Sequence, residues 1–75
     1  MKYDLVGIDG NAYSVMGYTA RALKNEGLGN LVDEMFEKAK SGDYYNLIAV
    51  CLEYIDKANE AYENRANEED EEDEF

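Results

Sequence analysis

One apolar spacing in the C-terminal half constrains the fold of this chain more than any other feature. Six apolar or aromatic residues recur at intervals of 4, 3, 4, 3 and 4, the spacing of one face of a long helix. A second row beside the first makes this face wide, so we expect a central third helix, capped by Asp43 and reaching Asn64 or beyond. We interpret the face as core; the alternative is a coiled-coil seam. The rows are Tyr44, Ile48, Cys51, Ile55, Ala58 and Tyr62, and Leu47, Val50, Tyr54 and Ala61.

A shorter helix is predicted near the N-terminus. Asn11 is a favourable N-cap for a helix that runs to about Asn25, and Gly27 would end it. Gly17 lies in the middle of this helix, where glycine is unfavourable relative to alanine. A close crossing of another helix over Gly17 would explain its presence. The apolar positions are Ala12, Val15, Met16, Thr19, Ala20 and Leu23.

The remaining elements give a mainly α fold. Asn30 is predicted to cap a second helix that Ser41-Gly42 closes. Residues 2–8 are predicted to form a short strand with an apolar end, which the Asp9-Gly10 turn follows. The expected fold is therefore a short N-terminal strand followed by three helices, the third being the longest.

The predicted strand is the reason to expect an oligomer. A lone strand leaves its N–H and C=O groups without partners, and no second strand is visible in the sequence. Pairing of residues 2–8 with the same segment of another copy would satisfy them, and the third helix offers a second contact. A homodimer through either surface is expected. The alternative is a monomer whose N-terminal segment packs as extended coil.

Acidic charge is concentrated at the C-terminal end. Residues 66–75 contribute −7 to the net charge of −11, whereas residues 1–65 hold 11 acids and 7 bases and contribute −4. Adjacent carboxylates repel one another, so we divide the chain into one small helical domain over 1–65 and a disordered or frayed tail over 66–75. The tail disfavours direct nucleic-acid binding and suits a protein with a basic groove. The alternative is a tail that only keeps the protein soluble.

Several functions are excluded by residues that the chain lacks. It has no histidine and a single cysteine, which rules out an imidazole base, a thiolate metal cluster and an internal disulfide. We expect no catalytic residue, no metal and no cofactor, and we interpret Cys51 as a small buried hydrophobe. No apolar run is long enough to span a membrane and no secretory signal is visible, so a cytoplasmic protein is expected.

Two sets of residues are candidates for binding. The partner-binding set joins the acidic run to two tyrosines at the start of the third helix, because tyrosines often anchor interfaces. The ligand-binding set lies where the first helix could present free N–H groups to an anion, with cations nearby; a plain turn and cap is the other interpretation. The first set is Glu68, Glu69, Asp70, Glu71, Glu72, Asp73, Glu74, Phe75, Tyr44 and Tyr45, and the second is Asp9, Gly10, Asn11, Arg21 and Lys24.

Two segments resemble those of a group of small phage and prophage proteins. They are Leu5-Val6-Gly7-Ile8-Asp9-Gly10-Asn11-Ala12, followed by Met16-Gly17, and Ser41-Gly42-Asp43-Tyr44. The resemblance covers about residues 3–58 and leaves out the acidic tail. It implies a phage context, and hence the cytoplasm of a host cell, without implying an activity. The last eight residues separately resemble the acidic tails of single-strand-binding proteins.

These observations favour a non-enzymatic, phage-type binding protein that modulates host machinery or defence. It would act stoichiometrically as an acidic, DNA-mimic-like inhibitor, and it resembles anti-CRISPR and other DNA-mimic inhibitors in size and charge. One alternative is an oligomeric sponge for a small anionic signalling nucleotide, held at helix N-termini with tyrosines stacked on the base. Another is an accessory protein whose tail recruits a replication factor.

Overall fold

The computed structural model describes the backbone of residues 2–73 and the side chains of residues 2–65. Helix α1 spans Ala12–Asn25, a 3-10 turn spans Gly29–Leu31, α2 spans Val32–Lys40 and α3 spans Tyr44–Asp73. The mainly helical class and the order of three helices are confirmed. No helix in this part of the chain is both long enough and apolar enough to cross a membrane.

The long helix α3 packs against both shorter helices, and α1 and α2 also touch each other. Its buried stripe takes members from both predicted rows, whereas Tyr44 is 45% exposed and Ile48 and Tyr62 are half-buried. Phenol rings at the edge of a core can keep their hydroxyl groups hydrated, as Tyr44 and Tyr62 can, whereas Tyr54 is fully buried and its hydroxyl donates to Glu34. Core packing is therefore the use of this face within the chain. The buried side chains of α3 are Leu47, Cys51, Tyr54, Ile55, Ala58 and Asn59.

The ends of α1 are where the sequence predicts them. The side chain of Asn11 accepts a hydrogen bond from the backbone N–H of Tyr13 at 2.8 Å. At the other end, Gly27 has a φ of 75°, the left-handed conformation that glycine adopts without strain. Leu28 N–H then bonds back to the carbonyl of Leu23 at 2.8 Å. This is a Schellman ending, which satisfies carbonyls that the helix leaves free.

The start of α2 differs from the prediction. Asn30 lies inside the 3-10 turn, and the N-cap position is Leu31, which makes no side-chain capping bond. Asp33 and Glu34 stand in the first turn of α2, where negative charge interacts favourably with the helix dipole. The start of α2 is therefore stabilised by these two carboxylates and not by the predicted side-chain cap.

The junction between α2 and α3 agrees with the prediction. Asp43 accepts a hydrogen bond from Asn46 N–H at 2.9 Å and so caps α3. The Asn46 amide donates in turn to the carbonyl of Lys38 at 2.9 Å, near the end of α2. A Cβ on Gly42 would lie 2.9 Å from the Asn46 side chain, so glycine is required for this close approach.

The predicted N-terminal strand is absent from the part of the chain that the structure describes. The backbone of Tyr3 does bond as a strand would, but its partner is a side chain: its N–H donates to Asn59 Oδ1 at 2.7 Å and its C=O accepts from Asn59 Nδ2 at 2.9 Å. A turn at Val6-Gly7, closed by Ile8 N–H on the carbonyl of Leu5, ends the extended run. Because the backbone N–H and C=O of Tyr3 find their partners within one chain, pairing of residues 2–8 with a second copy is no longer needed to explain them.

Helix α3 also continues beyond Asn64 to Asp73, where we expected a disordered or frayed segment. Extending an existing helix needs no new nucleus, and glutamate is a good helix former, so the backbone can remain helical into an acidic run. The side chains of the predicted tail, residues 66–75, lie outside the described part of the structure.

Candidate binding surface

The loop before α1 is organised by short-range hydrogen bonds. Asp4 accepts from the N–H of Val6 at 3.0 Å, and Asp9 accepts from the N–H of Asn11 at 3.2 Å. Gly7 between them has a φ of 85°, so the turn depends on glycine. These bonds fix the loop and leave Val6 86% exposed.

The loop before α1 and the start of α3 meet in space. The hydroxyl of Tyr44, at the start of α3, donates to the carbonyl of Gly10 at 2.5 Å. A Cβ on Gly10 would lie 3.4 Å from that hydroxyl, close to an ordinary contact distance. The first turns of α1 and α3 are thereby held side by side.

Three tyrosines with substantial exposure stand on these two first turns. Tyr13 is 79% exposed, Tyr45 is 83% exposed and Tyr44 is 45% exposed. We call Tyr13, Tyr44 and Tyr45 the tyrosine surface. Large exposed aromatic rings at the end of a small domain are typical of a binding surface.

A cleft of about 460 Å³ opens between the loop and the exposed side of α1. We call it the loop cleft. Tyr18 on its wall is fixed from behind: its hydroxyl accepts from the N–H of Asp4 at 3.1 Å, and its ring meets Tyr3 edge to face at 6.5 Å between centroids. The lining residues are Gly7, Ile8, Asp9, Tyr13, Ser14, Gly17, Tyr18 and Arg21.

Gly17 forms part of this cleft and does not serve a helix crossing, so that prediction is wrong. A Cβ built on Gly17 would meet no heavy atom within 4 Å. The glycine leaves an opening on the surface of α1 where any other residue would project a side chain.

A second cleft, of about 350 Å³, lies on the other side of Tyr13 between α1 and the α2–α3 junction. We call it the junction cleft. Its walls are mostly apolar, with one cation, Lys40, and one carboxylate, Asp43. Its lining residues are Ala12, Tyr13, Met16, Ala39, Lys40, Gly42, Asp43, Tyr44 and Leu47.

The structure separates the predicted ligand-binding residues. Asp9 and Arg21 line the loop cleft together, and Gly10 accepts the Tyr44 bond beside it. Asn11 uses its side chain as the helix cap. Lys24 lines neither cleft; a Cβ on Gly29 would lie 3.7 Å from its side chain, near the end of α1.

The predicted partner-binding residues are also divided. Tyr44 and Tyr45 begin α3, and the acidic run lies toward its other end. At 1.5 Å of rise per residue, about 36 Å of helix separates Tyr44 from Glu68. Tyr45 borders neither cleft.

Sequence reasoning missed Tyr13, Ser14 and Tyr18 as candidate site residues. A signal for them exists in the spacing: Tyr13, Gly17 and Arg21 are four residues apart in succession, so they share one face of α1. This combination of rings, a glycine and a cation can be recognised as one exposed face only after the buried face of α1 has been assigned.

A buried carboxylate lies away from the clefts. The side chain of Glu26 is 1% exposed, and its Oε1 lies 2.9 Å from Nη2 of Arg65, which is half exposed. The hydroxyl of Tyr3 donates to the other oxygen. Burial and this hydrogen bond raise the pKa of Tyr3. These contacts connect the N-terminal segment to α3 and to the C-terminal end of α1. We therefore interpret Tyr3, Glu26 and Arg65 as structural residues.

No chemistry of the metal or thiol type is supported in the described part of the chain. It contains no group of three or more acidic or cysteine side chains placed to hold a metal. Cys51 is fully buried, and burial raises the pKa of its thiol, so it is a poor nucleophile. The exposed tyrosines and the two clefts are the surface features that remain as candidates for binding. No family model, curated protein or solved structure matches this chain.

Proposed function

We propose that this chain is a non-enzymatic binding protein of the phage type, which acts stoichiometrically on a basic partner protein of host machinery or defence. The observation that carries the proposal is the tyrosine surface, formed where the Tyr44–Gly10 hydrogen bond joins two distant segments. An inhibitor that works by occupying a partner's surface needs no catalytic group.

The tyrosine surface supports protein recognition through its exposure and its fixed position. Tyr13 and Tyr45 are both about four-fifths exposed. The short helix ends beneath them are held by the Asn11 and Asp43 caps. Aromatic rings on a rigid base lose little conformational entropy when a partner covers them, which is why tyrosines are frequent energetic anchors of interfaces.

Charge supports a basic partner. The body carries −4 and residues 66–75 carry −7, so the protein attracts a positively charged surface and repels nucleic acid. Because about 36 Å of helix lies between the tyrosine surface and the acidic run, the two act on different steps. The run accelerates encounter with the partner, and the tyrosines slow its release.

The experiment is to isolate the partner from host lysate with the full chain and then measure binding kinetics with purified components. Tyr45→Ala should raise the dissociation rate by about tenfold or more. Deletion of residues 66–75 should lower the association rate and reduce its dependence on salt. The control is Leu52→Ala, which removes a half-exposed apolar side chain of α3 (46% exposed) outside the tyrosine surface.

The outcomes separate the hypotheses. The proposal is supported if deletion of residues 66–75 lowers only the association rate and Tyr45→Ala raises the dissociation rate. If Tyr45→Ala leaves binding unchanged and deletion of residues 66–75 abolishes it, the result supports the accessory protein whose tail recruits a replication factor. Equal effects of Tyr45→Ala and Leu52→Ala contradict the assignment of the tyrosine surface.

A further inference from the structure

The loop cleft contains a glycine that the fold itself does not require. Gly17 is in the interior of α1, where glycine is less stable than alanine. Its φ is not in the left-handed region, and a Cβ there would meet nothing within 4 Å. Neither backbone conformation nor packing explains the residue. An occupant that approaches the helix surface closely at this point would account for it.

The groups around Gly17 indicate the chemistry of that occupant. Tyr13 and Tyr18 line the cleft together with it, and Ser14 adds a hydroxyl. Arg21 stands one turn further along α1. It has no acidic side chain within ion-pair distance among residues 2–65, although that region is rich in acids. An aromatic wall with an unpaired guanidinium at one end suits a flat ring joined to an anionic group.

We propose that the loop cleft binds a mononucleotide, with its base over Gly17 beside Tyr13 and Tyr18 and its phosphate on Arg21. The volume of about 460 Å³ is within the range of small-molecule sites. Asp9 lines the same cleft and repels a phosphate, so the phosphate is directed to Arg21. The Asp9 carboxylate can instead accept a hydrogen bond from a ribose hydroxyl or a base amine. This site does not depend on the proposed partner protein.

The test is calorimetric titration of the full chain with the four ribonucleoside 5′-monophosphates, the matching nucleosides and inorganic phosphate. At least one monophosphate should bind, about tenfold or more tighter than its nucleoside, because a charge-assisted hydrogen bond contributes at least that much. Arg21→Gln should remove this preference. Lys24→Gln is the matched control: it makes the same change of charge on the same helix outside the cleft, and should alter affinity less than about twofold.

Gly17→Ala supplies a second test that does not depend on charge. The variant should keep the fold and show a higher Tm, yet bind the monophosphate about tenfold more weakly because the Cβ blocks the base. The proposal is overturned by the absence of binding at millimolar monophosphate, or by equal losses in Arg21→Gln and Lys24→Gln. It is also overturned by unchanged affinity in Gly17→Ala. Binding of inorganic phosphate as tight as that of the nucleotide would show an anion contact without a base site, and would overturn it too. None of these variants touches Tyr45 or the acidic run, so the partner-protein proposal stands or falls separately.

Discussion

The side chain of Asn59 pairs with the backbone of Tyr3 through two hydrogen bonds of 2.7 and 2.9 Å. Asn59 is 4% exposed and Tyr3 is 6% exposed, so water cannot replace either bond. The amide presents one acceptor and one donor, as a neighbouring strand would. The N-terminal segment is thereby attached to α3.

Asn59→Ala should therefore destabilise the protein strongly. It leaves a buried N–H and a buried C=O of Tyr3 without partners, at a cost of about 2–4 kcal/mol in the free energy of unfolding. Urea denaturation measures the change. Asn64→Ala, at an exposed position of the same helix, is the control and should change stability by less than about 0.5 kcal/mol. Equal effects of the two substitutions would show that the pairing with Tyr3 contributes nothing.

Tyr44→Phe should loosen the contact between the loop before α1 and the start of α3. The substitution removes only the hydroxyl that donates to Gly10, and should cost about 0.5–1.5 kcal/mol. Because the Gly10 carbonyl is exposed and can bond to water, a larger loss is not expected. The matched control is Tyr45→Phe, which makes the same change at a side chain that is 83% exposed. Amide hydrogen exchange in the loop should accelerate in the first variant and stay unchanged in the second.

Alkaline pH should unfold the protein through its buried phenols. Burial, together with the 2.5 Å hydrogen bond that Tyr54 donates to Glu34, raises the pKa of Tyr54, and burial likewise raises the pKa of Tyr3. Above the ordinary tyrosine pKa of about 10, the unfolded chain loses these protons while the folded chain retains them. The stability is full below that pH and decreases as pH rises toward the folded values.

Tyr54→Phe tests this assignment. The variant should show a shallower loss of stability between about pH 10 and 12 than the parent protein, when both are followed by chemical denaturation. Tyr45→Phe serves as the exposed comparison and should keep the parent slope. A parent protein whose stability is flat across this range would contradict the raised pKa values.

Alanine substitutions at Gly17, within α1, and at Gly27, just after it, should change Tm in opposite directions. Gly17→Ala meets no neighbour and gains helix propensity of about 0.8–1.0 kcal/mol, which raises Tm by roughly 4–8 °C in a domain of this size. Gly27→Ala forces an alanine into a φ of 75° and should lower Tm by a few degrees, on the order of 1 kcal/mol. Thermal unfolding followed by circular dichroism checks both, and a decrease in Tm for Gly17→Ala would show that the position is not open.

Local chemistry was predictable from the sequence. Each of the helix ends at Asn11, Gly27 and Asp43 depends on residues within a few positions of one another. A short stretch of sequence is therefore enough to predict it. The pairing of Tyr3 was not predictable, because its partner Asn59 is 56 positions away and presents a side chain where a strand was expected.

The candidate site was predictable only in part. The sequence singled out Asp9, Gly10, Arg21 and Tyr44; the structure places Asp9 and Arg21 on the loop cleft and bonds Tyr44 to Gly10. It did not reveal what Gly17 does, because a glycine that admits another helix and a glycine that leaves a cleft open are identical in a sequence. Only the position of the neighbouring elements distinguishes them.

The length of α3 sets the angular position of the backbone of residues 66–73. A helix turns about 100° per residue, so the orientation of residues 66–73 around the axis is set by the orientation of Tyr44 at its start. Two alanines inserted after Arg65 would rotate the backbone that follows by about 200° and move it about 3 Å further from Tyr44, while leaving the net charge unchanged. A partner that needs only negative charge would tolerate that rotation, whereas a partner that matches the carboxylates to particular positions would not.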